Sequence, residues 1–326
     1  MMRVFLTGAN GFVGSHIAES LVEAGHEVIC LVRKTSNLKW LEGLNVKYVY
    51  GSLTDAEVLG QTLKDVDVVV HNAGAVRAQN AAEYNKINAD ATKTIAEFCL
   101  KVNPSLKKFI FISSQAAQGP SASQTPRKTG GQLNPVSDYG ISKMKAEEML
   151  IQTLNGKIPY VILRPSAVYG PRDKDIFMFF DLVNKHIKIK TSKKRYVQLV
   201  FVKDIAKAVL LCAQNAASNN KTYYLADSPA YTWQDIGNII AGANNVKAYS
   251  ITAPDFVFKT AAFFAEMFGK ISGKTPVLNK QKITEITQDY WTADNADIIQ
   301  DLNLHFTNLE IGARITYCWY LDNKFF

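Results

Sequence analysis

The chain is 326 residues long, 47% hydrophobic and 20% charged, a balance that excludes a disordered polyelectrolyte and is ample for a large buried core. No apolar run approaches the ~20 residues needed to cross a bilayer, and Cys30, Cys99, Cys212 and Cys318 lie too far apart in sequence to suggest a zinc site or a disulfide framework. A net charge of +8 admits an anionic small molecule, but the densest basic stretch, Lys185 to Arg195, interleaves lysines with Ile187 and Ile189 as a solvated strand or loop does, which argues against nucleic acid.

From the N-terminus, Arg3 to Leu6 enter an apolar strand at once, leaving no room for a cleaved signal, so the expected location is the cytoplasm. Strands are expected at Val4 to Thr7, Glu27 to Val32, Val46 to Tyr50, Val66 to His71, Phe109 to Ser113 and Tyr160 to Arg164. Between the first two, Val13, Ile17 and Leu21 recur at four-residue spacing on one helix face, and Gly25 stands where a helix C-cap belongs. Short β-branched runs alternating with amphipathic stretches predict an α/β fold, a Rossmann-type doubly wound parallel sheet. Gln118 to Ser137, rich in Ser, Gly, Pro and Thr, reads as a long surface excursion before a helix that begins near Asp138. After about residue 170 the alternation becomes irregular, and the aromatic stretch Asp255 to Phe268 suggests a smaller, mostly helical C-terminal substrate lobe. The expected division is a dinucleotide-binding domain over 1–170, with about 196–226 returning to it, and a lobe over the rest of 171–326.

Thr7, Gly8, Ala9, Asn10, Gly11, Phe12, Val13 and Gly14 follow the first strand and open its helix. Glycines at this spacing permit a tight turn, let backbone N–H groups approach a pyrophosphate and allow close helix packing, while the helix N-terminus favours the anion. An acid at the end of the second strand would bind the adenosine ribose, but Val32 occupies that place. Arg33, Lys34, Ser36 and Asn37 follow it as donors for a 2′-phosphate, Arg33 foremost, so NADP(H) is expected over NAD(H).

Tyr139 and Lys143 stand four apart, which on a helix brings a phenol and an ammonium to one face. The ammonium is expected to pull the phenol down from its usual ~10 toward neutrality, making Tyr139 a general acid or base. The strand ending in Ser113 and Ser114 delivers hydroxyls to the carboxyl edge of the sheet, where open α/β folds bind ligands.

Together, TGANGFVG, the YGISK pair, LRPSAVYGPR (Leu163 to Arg172) and VQLVFVKDIAKAV with Asp204 resemble the extended short-chain dehydrogenase/reductase family, and the similarity runs nearly end to end. The resemblance implies hydride transfer at nicotinamide C4, with Tyr139 moving the proton, Ser114 holding the substrate oxygen and Lys143 binding the nicotinamide ribose. Counting back from Gly119 selects Ser114, with Ser113 the first alternative. Asn88 matches the family's helix asparagine, and Ser52, Leu53, Ala73, Gly74 and Pro165 match cofactor-contact positions. A homodimer is the expected assembly, and no metal is implied. Ser52 replaces the family's usual aspartate, and His71, Asn72, Ala73, Gly74 depart from its H-x-A-A pattern.

Two enzyme readings follow. Arg33, Val197 in place of an epimerase arginine, and Phe256, Phe258, Phe263, Phe264 and Phe268 resemble the dihydroflavonol reductase and 3β-hydroxysteroid dehydrogenase branch, which implies a ketone or secondary alcohol on a small, fairly apolar molecule. Those phenylalanines also read as ordinary helix core. LRPSAVYGPR, with Arg172, Lys193, Lys194 and Arg195 as phosphate ligands, supports a nucleotide-diphosphate-sugar epimerase or dehydratase with retained NAD. A third reading, a non-catalytic NADP-sensing protein, runs against the intact Ser, Tyr and Lys set.

Overall fold

Val4, Phe5 and Leu6, three successive fully buried apolar residues, make Arg3–Thr7 the central strand, β1. In the computed structural model, which describes residues 1–256, 260 and 280–326, β2 (Glu27–Val32), β3 (Val46–Tyr50), β4 (Val68–His71), β5 (Lys108–Ile112) and β6 (Tyr160–Pro165) follow. They lie parallel in a seven-stranded sheet of order β11-β6-β5-β4-β1-β2-β3. After β3 the chain crosses to the other side of β1, so a crevice opens at the carboxyl ends of β1 and β4.

The expected strands shift by one or two residues at β4 and β5, where Val66 and Ser113 fall outside the ladder. The seventh strand, β11 (Lys221–Leu225), was not among the expected six. Among the described residues it pairs with β6 alone, and its exposed Lys221 and half-buried Thr222 give it no apolar run at its start. Between β6 and β11 lie the short β7 (Ala167–Tyr169), β8 (Ile187–Thr191), β9 (Tyr196–Val197) and β10 (Leu199–Phe201).

Helices cover both faces of the sheet. On one, α1 (Phe12–Glu23) and α7 (Val202–Gln214) bury Ile17, Leu21, Val209 and Cys212 against Leu6, Val70 and Ile110. On the other, α2 (Ala56–Thr62), α4 (Ala91–Val102) and α5 (Asp138–Leu154) bury Leu59, Ile95, Cys99, Leu150 and Leu154 against Phe5, Val69 and Phe111. Gly25, at φ +77°, adopts the left-handed conformation that ends α1.

The lobe has its own core, in which α6 (Phe177–Asn184), α8 (Trp233–Ala243) and the C-terminal helix Leu309–Asp322 gather Phe180, Ile236, Ile240, Ala313 and Tyr320. It is more mixed than expected. Tyr249–Ala253 pairs with β8, and Tyr231–Thr232 and Tyr290–Trp291 flank β9. The basic stretch from Lys185 thus supplies a strand, since Ile187 and Ile189 alternate with Lys188 and Lys190. Of the expected aromatic stretch, Phe256 is exposed, while Phe258, Phe263, Phe264 and Phe268 lie outside the described residues.

The excursion after β5 is fastened to a distant segment. Ser121 N–H donates to the Tyr290 carbonyl, Arg127 N–H to Thr292, and Asp294 N–H back to Arg127, each at 2.9–3.1 Å.

Candidate active site

The glycine turn is built as tightly as backbone allows. Gly8 has φ +69°, and a Cβ there would lie 2.8 Å from the Ala73 backbone; a Cβ at Gly14 would lie 2.0 Å from the Gly8 carbonyl oxygen. Helix α1 then begins after Gly11 with no side-chain cap and no acidic residue in its first turn, so no side chain of its own first turn competes with an anion for its N-terminal N–H groups. These features fit a dinucleotide pyrophosphate. Gly11 is exposed, Asn10, Phe12 and Val13 are half-buried, and Asn10 Nδ2 donates to the Asn37 carbonyl, tying the turn to the loop after β2. Thr7 is fully buried. Its hydroxyl accepts from Ala73 N–H and bonds His71 Nδ1, so it braces the turn from beneath.

The other expected cofactor residues lie around the same strand ends. Arg33 is exposed directly after β2, where its N–H donates to Ser36 Oγ. After β3, Ser52 is exposed and bonded to Thr54, with Leu53 half-buried beside it. Ala73 and Gly74 follow β4, and Pro165 ends β6. A Cβ on Gly74 would lie 3.0 Å from Asn88 Oδ1 and 3.3 Å from Lys143 Nζ, so this backbone runs past two of the expected catalytic side chains.

Helix α5 is capped by Ser137, whose hydroxyl accepts from Gly140 N–H. A Cβ on Gly140 would lie 2.5 Å from the Ala116 carbonyl oxygen. Glycine therefore lets the first turn of α5 close onto the turn after β5, which brings Tyr139 to Ser114. Burial pushes the Tyr139 phenol's pKa up, against a smaller downward pull from the neighbouring Ser114 hydroxyl. Tyr139 also rests against Tyr84, with ring centroids 6.1 Å apart.

Lys143 is buried and donates to the Ile112 carbonyl at 2.8 Å. Desolvation lowers its pKa to about 8, partly offset by the Glu147 charge. The expected pull of Lys143 on the phenol is absent from the interactions that set Tyr139. The ammonium has turned to the end of β5 instead, over the Phe111 ring.

Asn88 lies in a turn of π-helix, Asn85–Asp90, between α3 (Ala81–Tyr84) and α4. Its carboxamide accepts from Ala75 N–H and donates to the Ala75 carbonyl and to Ser142 Oγ, the last at 2.8 Å. Ser142 in turn donates to the Tyr139 carbonyl. Asn88 is thus linked through Ser142 to Tyr139, and Asn88 and Lys143 both lie beside Gly74.

Sequence reasoning missed the pair beneath this cluster. Glu147 and Arg164, 2% and 5% exposed, are joined at 2.6 Å, and Glu147 also accepts from Ser113. Arg164 further donates to the Gln118 side chain and the Thr129 carbonyl. The available signal was spacing, since Glu147 stands four residues beyond Lys143.

The two arginines expected to grip a diphosphate are otherwise engaged. Arg195 is held bidentately by Asp255 at 2.9 and 2.6 Å, Arg172 reaches Ser15 and Glu19 on α1, and Val197 is buried in the lobe core. Lys193 and Lys194 are exposed. Asp204 accepts from the backbone and hydroxyl of Thr307 and so pins the C-terminal segment to α7.

The model of the NAD dependent epimerase/dehydratase family matches residues 4–226, from β1 through β11. The chain belongs to that family. It is accordingly an NAD-dependent enzyme of the extended short-chain dehydrogenase/reductase type. It is 25% identical to a ceramide reductase of Caulobacter vibrioides, over 97% of this chain and 94% of that protein. It is 27% identical to a UDP-glucose 4-epimerase of Vibrio cholerae, over 85% and 84%. Among solved structures, the UDP-glucose 4-epimerase of Thermotoga maritima superposes with a TM-score of 0.80 at 20% identity, over 99% of this chain and 100% of that one. Reductases and epimerases are thus both kin, on one fold. Among the described residues no helix is long and apolar enough to cross a membrane.

Proposed function

We propose that the protein is an NADP(H)-preferring oxidoreductase that interconverts a ketone and a secondary alcohol on a small, fairly apolar molecule. The observation that carries this reading is the meeting of Ser114 and Tyr139 beside Lys143 and Gly74. When bound, the nicotinamide cofactor supplies or accepts the hydride. The chain's own groups handle the rest. Ser114 donates a hydrogen bond to the substrate oxygen, and Tyr139 gives that oxygen a proton in reduction or takes one in oxidation. Burial that keeps the phenol protonated suits a donor that releases its proton only to a strongly basic oxygen. Lys143, turned to the end of β5 beside Gly74, would hold the nicotinamide ribose, and Asn88 holds the first turn of α5 through Ser142.

An apolar substrate is favoured because Arg195 and Arg172 are already paired and Val197 offers no charge. The relative named a ceramide reductase points the same way. Arg33, exposed after the apolar Val32, supports the 2′-phosphate preference. In this reading residues 1–170 with 196–226 hold the cofactor and the remainder of 171–326 holds the substrate. The second reading, an epimerase or dehydratase that retains NAD, is supported by the epimerase relative and by the exposed Lys193 and Lys194.

Titration of NADPH and NADH by fluorescence, with Arg33→Ala alongside, separates the two readings. NADPH binding tighter than NADH and weakened about tenfold in the variant, with NADPH oxidation by a 3-oxosteroid or trans-1-decalone, supports the reductase. NAD(H) that co-purifies and is indifferent to Arg33 supports the epimerase.

A further inference from the structure

Between the glycine turn and Asn88 lies a side chain that neither uses directly. His71, the last residue of β4, is fully buried, stacked on Phe111 at 5.6 Å with its edge toward Phe109. Its Nδ1 is 2.8 Å from Thr7 Oγ1 and its Nε2 3.1 Å from Thr92 Oγ1.

The direction of every bond is fixed. Thr92 donates to the Asn88 carbonyl at 2.6 Å, so it accepts from His71, whose proton is therefore on Nε2. Nδ1 then accepts from Thr7, whose oxygen accepts from Ala73 N–H at 3.0 Å. The donors run from Ala73 through Thr7, His71 and Thr92 to Asn88 without reversal, and such chains polarise and stiffen their members. Burial and the charge of Lys143 hold the imidazole pKa down to about 3, so the ring keeps this one tautomer throughout the physiological range.

Both ends of the chain bear on the same corner. The Ala73 end carries Gly74, whose backbone passes Asn88 and Lys143; the Asn88 end clamps Ala75 and Ser142. We propose that His71 is a positioning residue which, through Thr7 and Thr92, fixes the Ala73–Gly74 backbone and the Asn88 turn in one mutual arrangement, and so shapes the Lys143 end of the cofactor site. This rests on the cofactor reading above.

Thr92→Val keeps the side-chain shape and removes the hydroxyl, while Thr92→Ser keeps the hydroxyl. Each is titrated calorimetrically with whichever of NADPH and NADH the parent binds more tightly, and with its truncated counterpart, 2′-phospho-ADP or ADP, which ends before the second ribose. The expected result is that Thr92→Val weakens the dinucleotide about tenfold and leaves the truncated ligand within about twofold, whereas Thr92→Ser binds both as the parent does. Dinucleotide binding unchanged in Thr92→Val, equal weakening of both ligands, or a serine variant as impaired as the valine variant overturns the proposal. A parent protein that binds neither NADPH nor NADH overturns the cofactor reading and this proposal with it. If Thr92→Val does not fold, Thr92→Cys, a weaker hydrogen-bonding partner, should show an intermediate loss for the dinucleotide alone, and unchanged dinucleotide affinity there is equally decisive against the proposal.

Discussion

Ser113 gives its hydroxyl hydrogen to Glu147 beneath the sheet edge. Its neighbour Ser114 faces the Tyr139 phenol. Two adjacent hydroxyls therefore answer to different tasks, and their alanine variants should separate. Ser114→Ala is expected to lower kcat about 100-fold, as loss of one oxyanion donor does. Ser113→Ala should leave kcat nearly unchanged and cost about 1–2 kcal/mol of stability, because Glu147 loses a buried partner. Steady-state kinetics with thermal unfolding of both variants provides the check, and equal kinetic losses would contradict the assignment.

Gly140 tests whether close approach matters. Alanine there would place its Cβ 2.5 Å from the Ala116 carbonyl oxygen, so the first turn of α5 must retreat. Gly140→Ala should cost about 1–3 kcal/mol and depress kcat more than cofactor affinity, since the glycine turn of α1 is untouched.

Glu147→Gln should be severely destabilising, by about 3–5 kcal/mol in urea unfolding, because it leaves the buried Arg164 guanidinium without its counter-charge. The same change removes the charge that props up the Lys143 pKa. With Lys143 near pH 8 in the parent, turnover should fall as pH rises through about 8. In the variant that fall should begin at lower pH. A fall that stays in place would show that Lys143 does not govern the alkaline limb.

Stability itself should depend on pH through two buried aspartates. Burial raises Asp173 and Asp227 from 3.8 to about 6 each, so the folded protein binds these protons more tightly than the unfolded chain. Their stabilisation is full below about pH 4 and is lost as pH rises through about 6, about 3 kcal/mol for each group. Glu19, lowered to about 2 by His16 and Arg172, runs oppositely, its contribution intact above about 4.5 and lost only in stronger acid. His71, held down to about 3 by burial, opposes the two aspartates by favouring the folded state as pH rises toward about 6.5. The check is therefore the difference between Asp227→Asn and the parent, whose unfolding midpoints should move in the variant's favour from pH 5 to 7. A difference that stays constant over that range would refute the assignment.

Much of this was legible in the chain, for identifiable reasons. β2 and β3 were read to the residue because both are bounded by polar or turn-forming positions, and α5 was placed at Asp138 because a Ser- and Pro-rich loop precedes it. Tyr139 and Lys143 were found through helical spacing, and the glycines through a turn that only they permit. What escaped was whatever depends on a partner distant in sequence. Four-residue spacing from Lys143 puts Glu147 on the same helix face, but that spacing alone does not distinguish a glutamate buried against Arg164 from a solvated one. Lys143 was expected to act on the phenol four residues away, but desolvation made the Ile112 carbonyl its hydrogen-bond acceptor. The π-helical turn that presents Asn88 leaves no mark in apolar periodicity.

The bonds that fasten Ser121 and Arg127 to Tyr290, Thr292 and Asp294 join stretches about 170 residues apart. An excursion so rich in glycine, proline and serine would ordinarily be among the first parts of a protein to exchange its amide hydrogens or to be nicked by proteases. Stitched in this way, it shares the opening free energy of its distant partner. Both stretches should become accessible together, at one rate, so that the excursion after β5 and the segment from Tyr290 to Asp294 unfasten as a single unit.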